Sequence, residues 1–137
     1  MRIVIYYYGK LRDRHVHAIC EEYRKRCQRY ARVDLVELKP RQEIWDQPGV
    51  ATCLLSPDGE PLDTAAFAAM VESNRLAARD LHFVIGPTDG HPPDWKLRAN
   101  RLIALSRLTF PHELARMMLC EQVYRALTLL AGHPYSR

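Results

Sequence analysis

A chain of 137 residues has the length of one domain, read here as 1–137. Apolar residues make up 47% of it, which supports a real core and excludes an intrinsically disordered chain; no apolar run approaches the ~20 residues of a membrane-spanning helix. The formal charge of +4 and an isoelectric point near 9.0 tilt the partner towards a polyanion.

Arg2–Tyr8 is rich in β-branched and aromatic residues and stops at Gly9. It reads as a strand covered on both faces, because almost all of it is apolar. The opening run is too short for a secretory leader and lacks a small-residue cleavage site. Arg14–Tyr30 follows as a helix, with Val16, Ile19, Cys20, Tyr23, Cys27 and Tyr30 recurring at three- and four-residue spacing. Its other face holds Arg14, Glu21, Glu22, Arg24, Lys25, Arg26 and Arg29, either a solvated face or a basic edge for RNA. Val33–Leu38 is a second strand, and 39–50 a loop with Pro40, Pro48 and Gly49.

Thr52–Leu55 is a third strand, from which Ser56-Pro57-Asp58-Gly59 turns away. Asp63-Thr64 caps a helix to about Ala78 that points Phe67, Met70 and Val71 inward. Leu81–Ile85 is a fourth strand and enters a loop at Gly86–Gly90. A short helix over Pro93–Asn100 and a fifth strand at Leu102–Leu105 complete an alternation of strands and helices. That order predicts an α/β domain with a mainly parallel sheet.

The last helix opens at Thr109-Phe110-Pro111, with Thr109 as N-cap and Pro111 in the first turn, and stops at Gly132. Between Leu114 and Leu130 its apolar residues cover more than one side, where a surface helix has a single stripe. A domain of this size covers one side, so a second copy of the chain is expected against the other.

Cys20, Cys27, Cys53 and Cys120 form no C-x-x-C pair and fall in apolar surroundings, as reduced core thiols of a cytoplasmic protein do. His15-x-His17 is no metal pair, because residues two apart on a helix diverge and nothing completes a ligand set. His82 and His112 suit core or cap roles. There is no G-x-S-x-G, P-loop or G-x-G-x-x-G.

Several segments carry a resemblance in the same order. They are Gly9-Lys10-Leu11, Glu22-Tyr23-Arg24-Lys25-Arg26, Leu55-Ser56-Pro57-Asp58-Gly59, Phe83 to Gly90, Thr109-Phe110-Pro111-His112, Glu121 to Ala126 and His133-Pro134-Tyr135-Ser136-Arg137. Together they resemble the RlmH family of SPOUT-class methyltransferases, which act on 23S ribosomal RNA. Only 40–50 lies outside the resemblance; the family has an additional helix there. The resemblance implies a SPOUT-type sheet with a C-terminal trefoil knot, a feature that chain-crossing rules alone would not predict.

It also implies a site. By motif position, Leu55, Gly86 and the run Leu105, Ser106, Arg107, Leu108, Thr109 and Phe110 match the residues that hold S-adenosylmethionine in RlmH-like proteins. Without the resemblance, Gly86 reads as an ordinary strand-to-helix turn. Loop backbone between apolar walls suits an adenine, and ligands of open α/β sheets sit beyond the carboxyl ends of the strands. The implied reaction is methyl transfer to N3 of a pseudouridine. The candidates for it are Glu121 and Arg125 on the last helix and His133, Tyr135 and Arg137 in the tail. Read from spacing alone, Glu121 and Arg125 are an exposed i,i+4 ion pair and the tail is frayed.

Two departures from the family pattern stand inside the site. Pro87 replaces the family's second glycine, and Ser136 stands where many tails have His. With the missing helix, they keep a second expectation open: a catalytically silent SPOUT protein that binds RNA or ribosomes. A methyltransferase for another small substrate is the third.

Overall fold

The computed structural model of the chain describes residues 1–87 and 89–136. Five strands, β1 (Arg2–Tyr8), β2 (Arg32–Leu38), β3 (Val50–Pro61), β4 (Asp80–Ile85) and β5 (Arg101–Ala104), form one sheet in the order β2-β1-β4-β3-β5. Every pairing is parallel. Helices α1 (Arg14–Cys27), α2 (Thr64–Leu76), α3 (Pro93–Arg98) and α4 (His112–Leu130) connect and cover it, and a short 3-10 turn, Pro134–Ser136, follows.

The apolar run of β1 is divided between two cores, because successive side chains of a strand point to opposite faces. Ile3 and Ile5 join the larger core, with Cys20, Phe67, Phe83, Leu119 and Val123, under α1, α2 and α4. Val4 and Tyr6 join the smaller core on the other face, with Leu54 and Val84. The 39–49 loop closes that second face. Ile44 is 1% exposed, and the Trp45 ring packs edge-on to Trp95 of α3 at 5.4 Å. Arg98 lies 5.0 Å over the Trp45 ring and pairs with Glu43 and Asp46, so one guanidinium fastens the loop.

Several expected boundaries move. Helix α1 ends at Cys27 instead of Tyr30, and Ile19 is left exposed on its surface. Helix α4 starts at His112, with Pro111 as N-cap and no side-chain cap bond. Thr109 therefore does not cap it: a residue before proline is pushed to extended backbone, which delays the helix until after Pro111. The other end is as expected. Gly132 has φ of 74°, and His133 N–H and Gly132 N–H donate to the carbonyls of Thr128 and Leu129, closing a Schellman motif.

The 56–59 turn is an excursion within β3. Leu55 and Glu60 both pair with Ile103 of β5. Gly59 is required there, since a Cβ at this position would stand 2.6 Å from the Ile103 carbonyl carbon. Asp13 caps α1 and Asp63 caps α2 through backbone N–H groups. All four cysteines are buried and free, and burial pushes the Cys27 and Cys53 thiols up to about 12.

Candidate functional site

Strands β3 and β4 run parallel in adjacent positions, with Leu55 opposite Ile85, and β5 lies on the other side of β3 with Ile103 opposite Leu55. Their carboxyl ends therefore open on the same edge of the sheet. A cavity of about 200 Å³ lies beyond that edge. Leu55, Gly86, Leu105, Ser106, Leu108, Thr109 and Phe110 line it. Seven of the eight residues expected to hold a cofactor thus meet at one place from three separate segments. Arg107 is exposed and does not line the cavity. The run 105–110 keeps its shape partly through Ser106, whose Oγ accepts from Leu108 N–H at 3.0 Å.

Two further residues of the cavity are Pro87, which the sequence had marked, and His91, which it had not. The Pro87 carbonyl accepts from Gly90 N–H at 2.9 Å, which closes the loop after β4; Thr88 lies outside the described residues. His91 is 8% exposed; its Nε2 lies 2.7 Å from the Leu55 carbonyl oxygen. Burial lowers the pKa of His91 from its usual value, an effect opposed by the Leu55 contact. No signal in the sequence marked it, because its partner is a backbone atom 36 residues away. At the rim, Asp58 pairs with Lys96 and accepts from the Ser56 hydroxyl, interactions that lower its pKa.

A larger hollow of about 650 Å³ adjoins the cavity and shares Leu105 and Phe110 with it. It runs between α1, α2 and α4, past Ile19, Met117 and Met118, to Tyr23, Glu121 and Gln122. Three of the five expected catalytic residues cluster at this far end. Glu121 and Arg125 form an ion pair at 2.6 Å, with side chains only 18% and 28% exposed, so the pair is half-buried and not a solvated one. The pairing raises the pKa of Arg125. Arg125 lies 5.2 Å over the Tyr135 ring. That ring packs edge-on to Tyr124 at 4.6 Å, and its hydroxyl lies 3.3 Å from that of Tyr23. Burial and the Tyr23 contact push the Tyr135 phenol well above its usual range.

The tail is therefore seated, not frayed, as far as Tyr135. His133 is exposed, and its Nδ1 accepts from Tyr135 N–H at 3.2 Å. Arg137 lies outside the described residues, as does the side chain of Ser136. His15 and His17 are both exposed on α1, and no group of three metal-ligating side chains occurs among the described residues. No described helix is long and apolar enough to cross a membrane.

Residues 1–136 match the family described as "Predicted SPOUT methyltransferase". The chain belongs to the SPOUT methyltransferase family. Among its SPOUT relatives is the ribosomal RNA large subunit methyltransferase H of Solibacter usitatus, 46% identical over 139 residues, with all of both chains covered. The proteins of the same name from Gloeobacter violaceus and Sorangium cellulosum are each 38% identical, with 98% and 99% of both chains covered. A probable methylase family protein from Haemophilus influenzae shares the fold, with a TM-score of 0.60 at 10% identity over 95% of this chain and 66% of that one.

Proposed function

We propose that this SPOUT chain is, as one domain over 1–137, an S-adenosylmethionine-dependent methyltransferase of the large ribosomal subunit. Its target is N3 of a pseudouridine in 23S ribosomal RNA, and it works in the cytoplasm as a homodimer. The observation that carries the reading is the convergence of Leu55, Gly86 and 105–110 on one cavity that adjoins the Glu121–Arg125–Tyr135 cluster.

The cavity's chemistry fits the cofactor. Leu55, Leu105 and Phe110 supply apolar walls, and the backbone at Gly86 and along 106–109 offers polar groups for a purine. When bound, S-adenosylmethionine supplies a methyl group made electrophilic by its sulfonium. The protein must then orient the acceptor nitrogen and manage its proton. Arg125 supplies positive charge beside the developing uracil anion, and Glu121 holds that guanidinium in place. Tyr135 offers a ring face for stacking. His133 offers an exposed imidazole that suits proton uptake; Arg137 suits a phosphate.

The homodimer is inferred from α4. Its inward side buries Leu119, Val123 and Leu127, while Leu114 and Ile19 of α1 are 39% and 42% exposed beside the accessible Met117 and Met118. A second copy would cover this strip. The trefoil knot rests on membership of the SPOUT family alone. Force-unfolding that extends the chain to its full contour length would remove the knot.

A catalytically silent, RNA-binding SPOUT protein is the second reading. It is favoured by the cavity volume of about 200 Å³, below the ~300 Å³ usual for drug-sized ligands. Calorimetry with S-adenosylmethionine separates the two: binding in the micromolar range supports the enzyme, and none at millimolar ligand supports the silent protein. Nucleoside analysis of ribosomes lacking the modification then tests the target. A modified base other than N3-methylpseudouridine would replace that assignment.

A further inference from the structure

The His91 imidazole joins two of the segments that converge on the cavity. Its Nε2 lies 2.7 Å from the carbonyl oxygen of Leu55, at the end of β3. A carbonyl only accepts, so the proton of this contact sits on Nε2. The same edge of the ring rests on Gly86, at the end of β4. A Cβ built at Gly86 would stand 3.0 Å from Cε1 and Nε2 and 3.2 Å from Cδ2. Glycine at 86 thus makes room for the imidazole, a different reason from room for a ligand.

The other nitrogen, Nδ1, is sealed from solvent and has no partner among the described residues. A proton there would gain neither a hydrogen bond nor hydration, so the ring is kept neutral. The charged and titratable groups around it do not reverse this. Lys96 of α3 opposes a positive charge, and Asp58 of the β3 excursion favours it more weakly than burial disfavours it. His112, at the start of α4, lines the same cavity, and Asp89 of the loop is exposed.

We propose that His91 is a positioning residue of the cofactor pocket, a neutral strut that sets the Leu55 carbonyl and the Gly86 loop at the separation the ligand requires. This rests on the methyl-donor reading above. Protonation places a charge in a sealed site, and the strut gives way by local opening. Cofactor affinity is therefore linked to His91: it is constant above about pH 7 and falls with acidification, by up to about tenfold per pH unit once the ring titrates.

Nitrogen-15 spectra of the ligand-free protein test the strut without any cofactor. The expected result is a neutral ring protonated on Nε2 at pH 7, with the Leu55 carbonyl carbon shifting as the ring titrates below pH 6.5. A charged ring at pH 7, or a proton on Nδ1, overturns the proposal. Calorimetry with S-adenosylmethionine is the second arm. His91→Ala is expected to weaken binding at least tenfold, and His91→Gln, which keeps an N–H donor, to restore it to within about threefold while abolishing the acid dependence. Full affinity in His91→Ala, or an unchanged pH profile in a folded His91→Gln, also overturns it. If the wild-type protein binds no S-adenosylmethionine, the methyl-donor reading fails, and the spectra still decide whether the strut exists.

Discussion

The guanidinium carbon of Arg116 lies 3.6 Å from the centroid of the Tyr7 ring, and Arg116 is 1% exposed. Its Nε and Nη1 have no partner among the described residues, and burial lowers its pKa. The cation is held inside the fold by the face of one aromatic ring, an interaction of roughly 2 kcal/mol when desolvated. That gain is comparable to the penalty of its unpaired donors, so the charge itself contributes little net stability. Arg116→Met, which keeps most of the volume, should change unfolding free energy by less than about 1 kcal/mol, whereas Arg116→Ala should cost about 3 kcal/mol through the cavity it leaves. Urea denaturation checks both; a loss of several kcal/mol in Arg116→Met would show that the charge is needed.

Met118 lines the hollow beside Ile19, whereas Leu127 is 6% exposed in the chain's own core. Glutamate at the two positions should therefore act differently. Met118→Glu should give a folded monomer by light scattering. Leu127→Glu should lose helical circular dichroism before any clean dissociation, because an ion is buried without a partner. A wild-type monomer at micromolar concentration would end the dimer reading.

Gly86→Val should reduce S-adenosylmethionine affinity at least tenfold, because a branched side chain must displace the His91 ring that a single Cβ already approaches at 3.0 Å. Calorimetry reads the loss, and a thermal melt shows whether the fold is retained. Unchanged affinity removes Gly86 from the site.

The tail has two roles that one truncation would mix. Tyr135 packs on Tyr124 and Arg125, so deleting Pro134–Arg137 should cost about 1 kcal/mol of stability as well as activity. Cofactor binding and dimerisation should stay within about threefold, while ribosomal RNA methylation falls at least about a hundredfold, roughly 2.7 kcal/mol. Tyr135→Phe keeps the ring and removes the hydroxyl near Tyr23; it separates packing from chemistry. A truncated protein that methylates ribosomes at the full rate makes the tail a spectator and leaves Glu121 and Arg125 as the site.

Burial lowers the pKa of both His82 and His91 below the usual 6.5. The unfolded chain therefore binds these protons first as pH falls. The stability this represents is fully present above about pH 6.5 and is lost on acidification through the depressed folded values. Urea midpoints should be flat from pH 8 to 7 and decline below 6.5, and the His91→Gln variant should decline less steeply.

The sequence by itself determined the five strands, the parallel α/β class and the inward residues of α2, because these follow from local periodicity and caps. It also marked Leu55, Gly86 and 105–110 through their family motifs, and Gly132 as the stop of α4 through its backbone freedom. Tertiary structure decided the rest. The closure of the second sheet face by Trp45, Trp95 and Arg98 depends on ring packing between segments about fifty residues apart, which no window of sequence contains. The start of α4 moved to His112 because Pro111 constrains the residue before it. The reason for glycine at 86 became visible only with the His91 ring against it, and the seat of Tyr135 only with Tyr23, 112 residues away in the chain, beside it. Contacts to backbone atoms and to distant rings leave no periodic trace, so their physics is legible only once the chain has folded.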